Sequence, residues 1–212
     1  QIYEFLYKKR VKSLDECVNI GNNIKDKLKS DFDFSMIKLL IKQEDVLVKK
    51  YLFELTDGER IESVVMFHDY GISICVSSQV GCNMNCAFCA SGMHKKQRNL
   101  STAEIILQVM SVSEIIGKRI SHIVIMGIGE PFDNYDNVIK FMKIANEPKG
   151  LEIGARHISV STCGLVPKIY DFAKEEMQSN LAISLHAPTN EIRDQIMPIN
   201  KAYPLEVLVP AI

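Results

Sequence analysis

Three cysteines stand close together before the middle of the chain, with three residues between the first two and two between the last two. They are Cys82, Cys86 and Cys89, in a C-x3-C-x2-C arrangement. Thiolates this close in sequence are suited to holding an iron–sulfur cluster. Because the loop supplies only three ligands, one iron of a 4Fe–4S cube would keep an open position, as a catalytic zinc keeps a position for water. The spacing therefore predicts a cluster that can also hold a substrate.

Two other uses of these cysteines compete with the cluster. Zinc would take all three together with His94, but structural zinc sites usually pair two C-x2-C knuckles, and the chain has no second one. A disulfide framework is typical of small secreted proteins, whereas this chain has six cysteines among 212 residues and is 47% hydrophobic. We interpret Cys17 and Cys163 as structural thiols. The cluster is favoured, and zinc stays open as the alternative.

Composition excludes some functional classes. The formal net charge is −1 and the pI is about 6.6, so no general excess of basic residues indicates nucleic-acid binding. RNA contact would have to come from local patches. No apolar run approaches the length of a membrane span, and no basic-plus-apolar leader is present, so we expect no membrane partner. The clustered thiols fit a reducing compartment, and we expect a cytoplasmic protein.

Helical periodicity at the start of the chain gives way to strand-like patterns. Residues 1–34 are predicted as a small, incomplete helical accessory domain of two helices, the second beginning at a capping box of Ser13 and Glu16. Residues 35–68 are predicted as a β linker or hairpin with a turn at residues 56–58. The apolar stripe expected on the second helix consists of Ile20, Ile24 and Leu28.

From residue 69 onward, strand-like and helix-like segments alternate with short connections. This pattern predicts βα units around a parallel sheet, and such units close into full or partial barrels with their chemistry at the carboxyl ends of the strands. We therefore expect residues 69–212 to form an α/β core, a partial (β/α) barrel truncated at the C-terminus. The predicted strands of this core are 72–76, 123–126, 157–160 and 181–185, and the predicted helices are 102–116, 136–144, 167–176 and 190–196.

Glycines and polar residues follow these predicted strands. Gly129 and Glu130 come after one strand, where glycine permits close approach of a ligand and the carboxylate can accept from an ammonium group. Ser161 follows the next strand, and Ser184 with His186 the last. Taken singly, each residue is typical of a turn or a helix cap. The cysteine spacing, however, resembles the radical S-adenosylmethionine (SAM) enzymes, and beside such a loop these residues indicate a SAM site.

Two further residues precede the cysteine loop. Cys75 ends the predicted strand 72–76, seven positions before Cys82, which is close enough to face the same cavity. A lone thiol in that position is usually a small buried hydrophobe. Glu62 lies on the preceding strand, where a solvent-facing carboxylate is the ordinary interpretation.

Several strings taken together resemble the RlmN/Cfr family of radical SAM enzymes, which methylate adenine in 23S ribosomal RNA. The cysteine loop alone is typical of the whole superfamily, whereas the combined strings are specific to this family. The resemblance extends over the chain, from an opening similar to the family's accessory helices to the last residues. The strings are CVSSQVGC at 75–82, GIGEP at 127–131, VSTCG at 160–164, SLHAP at 184–188 and RDQIMPIN at 193–200.

The resemblance implies a role for each matching residue. It makes Cys82, Cys86 and Cys89 the ligands of a 4Fe–4S cluster. Cys75 matches the cysteine that resolves a protein–RNA adduct, and Glu62 matches a carboxylate proposed to handle a proton. The positions that match SAM contacts are Gly129, Glu130, Ser161, Ser184 and His186.

The resemblance also implies a radical route, because the ring carbons of adenine that the family methylates are electron-poor. One SAM first methylates a cysteine, and a second SAM, reduced on the cluster, yields a radical that takes hydrogen from that methyl group. The carbon radical adds to the adenine, and Cys75 would then release the product and leave a disulfide. The family's methyl-carrying cysteine has no counterpart up to Ile212, so we expect this chain to bind a cluster without completing methylation.

Within the family, the strings around Cys82, Gly129 and His186 look more like RlmN, which acts on carbon 2, than Cfr, which acts on carbon 8. The implied substrates are 23S rRNA and also tRNA, with an electron donor such as flavodoxin or ferredoxin. Carbon 8 methylation is the alternative within the family, and a zinc-stabilised RNA-binding module is the alternative of another class. Candidate RNA contacts are Lys95, Lys96 and Arg98 after the loop, and the basic run of Lys8, Lys9, Arg10 and Lys12.

Overall fold

One mixed β-sheet organises the chain. The computed structural model describes residues 1–11, 13–34 and 36–212. The strands in these residues are β1 (Lys38–Glu44), β2 (Val48–Glu54), β3 (Arg60–His68), β4 (Gly71–Cys75), β5 (Gln79–Val80), β6 (Arg98–Asn99), β7 (His122–Ile125), β8 (Ile158–Thr162) and β9 (Asn180–Ile183). Seven of them form a sheet in the order β1-β2-β3-β4-β7-β8-β9, and β5 pairs with β6 in a separate ribbon.

The sheet changes from antiparallel to parallel at β4. Strands β1 to β4 pair as successive antiparallel neighbours, whereas β4, β7, β8 and β9 are parallel. Parallel neighbours need a crossover connection, and a helix supplies each one. The helices are α1 (Ile2–Tyr7), α2 (Asn22–Asp31), α3 (Thr102–Ile116), α4 (Tyr135–Asn146), α5 (Val166–Ala173), α6 (Asn190–Ile196) and α7 (Leu205–Leu208).

The predicted α/β fold is confirmed, and α3 and α6 have the bounds predicted from the sequence. Each of the four parallel strands is followed by one of the helices α3 to α6, which gives four βα units. No helix in the described residues combines the length and the apolar character needed to cross a membrane.

Strand alternation gives the parallel part of the sheet one buried face and one open face. Ile74, Ile123 and Val160 are fully buried and share a core with the helices. Successive side chains point to opposite faces, so the residues between them, such as Cys75 and Val124, lie on the other face. That open face leads to the carboxyl ends of the strands, where the candidate site is found.

A buried glutamine joins α3 to the strands that support the cysteine loop. The side chain of Gln108 is inaccessible to solvent; its Oε1 atom accepts from Ser63 Oγ over 2.9 Å and from Ser77 N over 2.8 Å. Its Nε2 atom donates to Ser77 O over 3.0 Å. Buried polar groups are costly unless they are paired. Here one amide side chain pairs with the hydroxyl group of Ser63 on β3 and with the backbone N–H and C=O groups of Ser77, after β4. The segment that follows β4 is thereby held in place.

The predicted hairpin joins the same sheet as the parallel core. Strands β2 and β3 are connected by a tight turn in which Gly58 has φ of +86°. Strand β3 then pairs with β4, with Val64 opposite Cys75. The domain bounds 1–34, 35–68 and 69–212 stay predictions.

The N-terminal segment differs from the predicted pair of helices. The capping box of Ser13 and Glu16 is present, but the helix it starts is a single 3-10 turn, Leu14–Glu16. The backbone then turns at Asn19, where φ is +62°, and α2 starts only after Gly21. The expected apolar stripe is therefore broken, with Ile20 before α2 and Ile24 53% exposed on it. The small core of this segment is formed by Phe5, Leu14 and Cys17.

Candidate functional site

The predicted site residues follow the carboxyl ends of the four parallel strands. Cys75 is the last residue of β4, Ser161 lies near the end of β8, and Ser184 directly follows β9. The pairing of Cys75 with Val124 and of Val124 with Ser159 sets the register across three strands. With two-residue alternation, Cys75, Ser161 and Ser184 share the open face of the sheet. Backbone pairing alone thus brings together residues more than a hundred positions apart.

The cysteine loop connects β5 with β6 and lies beside the end of α6. Ala87 N donates to Ile196 O over 2.9 Å, which ties the middle of the loop to the last turn of that helix. Cys82 is buried, Cys86 is half-buried and Cys89 is exposed. The loop therefore has an anchored inner side and an open outer side.

A glycine permits the two arms of this loop to approach each other. Gly81 has φ of +73°, and a Cβ atom there would lie 2.3 Å from the carbonyl oxygen of Lys95. The close approach is fixed by the Cys82 N–H, which donates to His94 O over 2.9 Å. Any other residue would meet both an unfavourable backbone conformation and a steric clash.

The electrostatics of Cys82 and Cys86 fit the binding of iron cations. Burial, together with the neighbouring Cys82 and Cys89, raises the pKa of Cys86 to about 11. Burial also raises the pKa of Cys82, with the nearby Glu130 and Cys89 as smaller causes. Thiolates gathered this closely repel one another, and bound metal removes that penalty by its own charge. The donor set is suited to a 4Fe–4S cluster held by Cys82, Cys86 and Cys89.

The geometry gives no support to the zinc alternative. Across residues 1–11, 13–34 and 36–212, no three His, Cys, Asp or Glu side chains come together closely enough to hold a single metal ion. Zinc requires its ligands to converge on one point. A cube bound through separate iron atoms does not require the thiolates to share one centre. His94 lies on the second arm of the loop, exposed to solvent.

Glu130 is a buried carboxylate at the edge of the parallel sheet. Its side chain is only 4% exposed; Oε1 accepts from Phe132 N over 3.0 Å, and Oε2 accepts from Cys163 N over 2.8 Å. Burial raises its pKa, whereas the bonds it accepts from Cys163, Thr162 and Phe132 oppose that change. A preorganised carboxylate of this kind can bind an ammonium group.

The glycines before Glu130 press its loop against the segment that follows β4. Gly129 has φ of +109°, and a Cβ atom there would lie 2.6 Å from Gln79 Cβ. A Cβ atom on Gly127 would lie 2.7 Å from Val76 O. Gln79 completes the contact, because its Oε1 atom accepts from Glu130 N over 2.9 Å. The close approach at Gly129 is to protein atoms, and its predicted contact with a ligand stays a prediction.

The serines and the histidine predicted for this site meet at the ends of β8 and β9. The hydroxyl oxygens of Ser161 and Ser184 are 3.5 Å apart. His186 adopts φ of +56°, and its ring lies against Phe88 with a centroid distance of 4.4 Å. Phe88 belongs to the cysteine loop, so the ring contact joins the loop to β9. Hydroxyl groups and aromatic rings therefore lie at this edge of the sheet.

Cys75 and Glu62 lie on the same face of neighbouring strands. Val64 pairs with Cys75, and Glu62 is two residues before Val64 on β3. The Glu62 carboxylate is 2.6 Å from the ammonium group of Lys50 and is partly exposed. Burial raises the pKa of Cys75. The pair can reach a common ligand from the open side of the sheet.

Two of the candidate RNA contacts have their charge matched within the protein. Lys96 forms a 2.7 Å ion pair with Asp133, and Arg98 forms 2.7 Å ion pairs with Asp57 and Glu104. These interactions join the loop to the β2–β3 turn and to the start of α3. Lys95 has no ion pair among the described residues. In the N-terminal basic run, Lys8 pairs with Glu152 and Arg10 donates to Ser113, whereas Lys12 lies outside the described residues.

Sequence reasoning did not assign two residues that build this site. Arg193 is fully buried beneath it, although the string RDQIMPIN contained it. Cys163, interpreted as a structural thiol, is buried directly beside Glu130, and this burial and the carboxylate raise its pKa. The signal for Cys163 was its place directly after β8, whereas Arg193, ten positions after β9, had no such signal.

Comparison with known proteins agrees with this arrangement. A family profile described as the Radical SAM superfamily matches residues 76–208. A probable dual-specificity RNA methyltransferase RlmN of Spiroplasma citri is 55% identical over the whole of this chain, and a protein of the same name from Geobacillus kaustophilus is 53% identical. The chain covers 63% and 59% of these two relatives, so it spans about three fifths of their length.

A solved structure supports the same relationship. The crystal structure of a radical SAM methyltransferase from Sphaerobacter thermophilus superposes with a TM-score of 0.91 at 35% sequence identity, covering 99% of this chain and 63% of that one. The resemblance to the RlmN/Cfr family expected from the sequence is thus confirmed at the level of relatives and fold. With the match over residues 76–208 and the three-cysteine loop at its start, the chain belongs to the radical SAM superfamily.

Proposed function

We propose that this chain is the cluster- and SAM-binding part of an enzyme that methylates carbon 2 of an adenine in 23S rRNA, with tRNA as a second substrate. The proposal rests on one observation: a three-thiol loop, a buried carboxylate and a separate cysteine lie at the same edge of one parallel sheet. The name shared by the RlmN relatives supports RNA as the substrate.

The side chains at this edge have distinct tasks in the proposal. When bound, a 4Fe–4S cluster supplies the electron that splits SAM and opens a radical route to a carbon that no side-chain base can activate. Cys82, Cys86 and Cys89 would hold the cluster. Glu130 would bind the ammonium group of SAM and so orient the donor. Ser161, Ser184 and His186 would bind its carboxylate and ribose.

Cys75 and Glu62 would finish the reaction on the RNA side. Glu62 would take the proton that the adenine carbon loses, with Lys50 at 2.6 Å balancing the carboxylate charge. Cys75, as thiolate, would attack the sulfur that links protein and RNA; an S–S bond forms, the carbon–sulfur bond breaks with its electron pair on the methylene carbon, and that carbon takes a proton, which protonated Glu62 can return, to become the methyl group. Because burial raises the Cys75 pKa, this step needs a nearby base.

A groove of about 840 Å³ between the β2–β3 hairpin and the cysteine loop offers a path for the RNA strand. Lys50 and Glu62 line it on the hairpin side and Lys95 on the loop side. Lys95 and Arg60, both lining residues, have no ion pair within the described residues and can meet phosphates. The target adenine must leave its stack to reach the sheet edge. Binding through this groove should weaken steeply with salt.

We further propose that this chain does not complete methyl transfer by itself. The reaction implied by the family needs a second cysteine that carries the methyl group opposite Cys75. Of the other cysteines outside the loop, Cys17 is buried in the N-terminal core and Cys163 is buried against Glu130. Neither can take that position.

Product analysis tests the proposal. The chain, loaded anaerobically with iron and sulfide, would receive SAM, dithionite and rRNA; we expect cleavage of SAM without methyladenine. The proposal expects the second cysteine in the part of the Spiroplasma citri relative that this chain does not cover, so a fusion to that part should yield 2-methyladenine in digested RNA by mass spectrometry. 8-Methyladenine would assign the chain to the Cfr-type reaction instead. Methyladenine from the unfused chain would contradict the proposed need for a second cysteine.

A further inference from the structure

A fully buried arginine lies beneath the candidate site and has no carboxylate ion pair among the described residues. Arg193 is 0% exposed, on the first half of α6. Its donors go to neutral acceptors. These are Leu185 O at 3.2 Å from Nε, Asn200 Oδ1 at 2.7 Å from Nη1, and Cys163 O at 2.7 Å and Ser184 O at 3.4 Å from Nη2.

The guanidinium group joins the ends of two strands. Cys163 directly follows β8, and Ser184 and Leu185 directly follow β9. Their carbonyl groups belong to the backbone that presents the site hydroxyls. A planar fork with five N–H donors suits several carbonyl acceptors at once, whereas a lysine ammonium is a compact point charge. Arg193 thus fixes the relative position of the two strand ends.

The positive charge of Arg193 is not balanced by an ion pair with a carboxylate among the described residues. A buried cation is costly unless it is compensated. The carboxylate of Asp194 is reached only through Asn200, which donates to it over 2.7 Å, and Asp194 is exposed to solvent. The cysteine loop is tied to the same helix through the bond from Ala87 to Ile196.

The position of Arg193 relative to the loop follows from this bond. Arg193 lies three positions before Ile196, whose carbonyl oxygen holds the loop at Ala87, the residue directly after Cys86. The guanidinium group is therefore on the same short helix that anchors the cysteine loop. A cluster on three thiolates is anionic and becomes more so when it gains an electron, so a fixed cation favours its reduced state.

We propose that Arg193 is a positioning residue with two separable tasks: its fork sets the ends of β8 and β9 for SAM, and its charge raises the reduction potential of the cluster held by Cys82, Cys86 and Cys89. The inference rests on the proposed cluster site. In the reduction step, one electron from dithionite enters the cluster, and no bond forms or breaks.

Two substitutions separate the tasks. Arg193→Lys keeps the charge and removes the fork, and Arg193→Gln removes both. The reconstituted chain is titrated with dithionite under electron paramagnetic resonance (EPR) for the potential, and SAM binding is measured by equilibrium dialysis. We expect both Arg193→Lys and Arg193→Gln to lose SAM affinity by roughly tenfold or more, because each variant loses at least one charged hydrogen bond to the strand ends. Only Arg193→Gln should shift the potential to more negative values. Arg156→Gln, at an exposed arginine, should change neither.

A third variant keeps the test decisive if Arg193→Gln does not fold. Asn200→Asp retains the oxygen that accepts from Arg193 Nη1, adds a negative charge against the guanidinium, and replaces the amide donor to Asp194 by a second carboxylate. We expect this change to lower the potential as well. An unchanged potential in both Arg193→Gln and Asn200→Asp, or an equal shift in Arg193→Lys, would overturn the electrostatic task. Wild-type chain that takes up no cluster would instead overturn the proposed function on which the inference rests.

Discussion

At the scale of single residues, the site depends on groups whose protonation is set by burial. Glu130 stays within hydrogen-bonding distance of two backbone N–H groups, and its charge is held out of solvent. Cys75 is half-buried, and this burial raises its pKa, so its thiol is a weaker acid than a free cysteine. These two residues therefore give the most direct residue-level tests.

Replacing Glu130 by glutamine should weaken SAM binding. The change removes a charge-assisted hydrogen bond to the ammonium group, which is worth about 1.5–3 kcal/mol, so the dissociation constant should rise roughly ten- to a hundredfold. Equilibrium dialysis with the reconstituted protein measures it. Glu176→Gln, at an exposed glutamate, serves as the control. Equal affinity in Glu130→Gln and wild type would remove Glu130 from the SAM site.

Alkylation of Cys75 should need a higher pH than an ordinary thiol. Burial raises its pKa above the usual value of 9.0, so the reactive thiolate forms only as the pH rises through that raised value. Peptide mass spectrometry after brief iodoacetamide treatment at increasing pH gives the rate for this cysteine alone. Cys89, which is exposed, provides the internal comparison. Half-maximal labelling of Cys75 below the usual thiol value would contradict its described environment.

At the scale of elements, the cysteine loop is shaped by a glycine and the sheet by a buried amide. Gly81 allows the two arms of the loop to meet, and Gln108 binds the segment after β4 to α3. Both contacts act on backbone position, so their loss should change the site without removing any ligand.

Gly81→Ala should reduce cluster loading. A Cβ atom 2.3 Å from Lys95 O would force the loop apart, and φ of +73° is unfavourable for alanine. Iron and sulfide per chain after anaerobic reconstitution should fall to less than about half of the wild-type value, because the cysteines of a displaced loop no longer have the geometry that binds the metal. Gly21→Ala, where no atom lies within 4 Å, should load normally. Full loading of Gly81→Ala would show that the loop does not need this approach.

Gln108→Ala should destabilise the fold. It leaves the buried Ser77 N–H and Ser63 hydroxyl without their partner, at about 1–3 kcal/mol each, so the free energy of unfolding should fall by about 3 kcal/mol or more. Urea unfolding followed by circular dichroism measures the change. Gln195→Ala, on an exposed position of α6, should differ from wild type by less than about 0.5 kcal/mol. Similar unfolding of the two variants would place the stabilising contact elsewhere.

The helices and the ion pairs of the loop differ in how well they could be predicted from the sequence. Helices α3 and α6 were predictable because their apolar periodicity and caps are local. The second N-terminal helix was not, since a capping box starts a helix but does not keep the backbone helical, and here the helix ends at Glu16 with Cys17 already extended. Likewise, the charges of Lys96 and Arg98 pointed to RNA, whereas their partners Asp133 and Asp57 lie 37 and 41 positions away. Pairing over such distances depends on the folded sheet.

At the scale of the whole molecule, a hairpin extension and a parallel core form one sheet whose open face carries the site. The sequence indicated which residues meet there, because each follows a strand and the strands are parallel. The role of Arg193 could not be read in the same way, since a buried cation with carbonyl partners has no local pattern.

The most direct measurement for the whole account is EPR of the chain after anaerobic loading with ferrous ion and sulfide. The account predicts about four iron atoms per chain, a signal from the dithionite-reduced cluster, and a clear change of that signal when SAM is added, because SAM takes the open iron. A colourless protein with one zinc ion, or a cluster signal that SAM leaves unchanged, would contradict it.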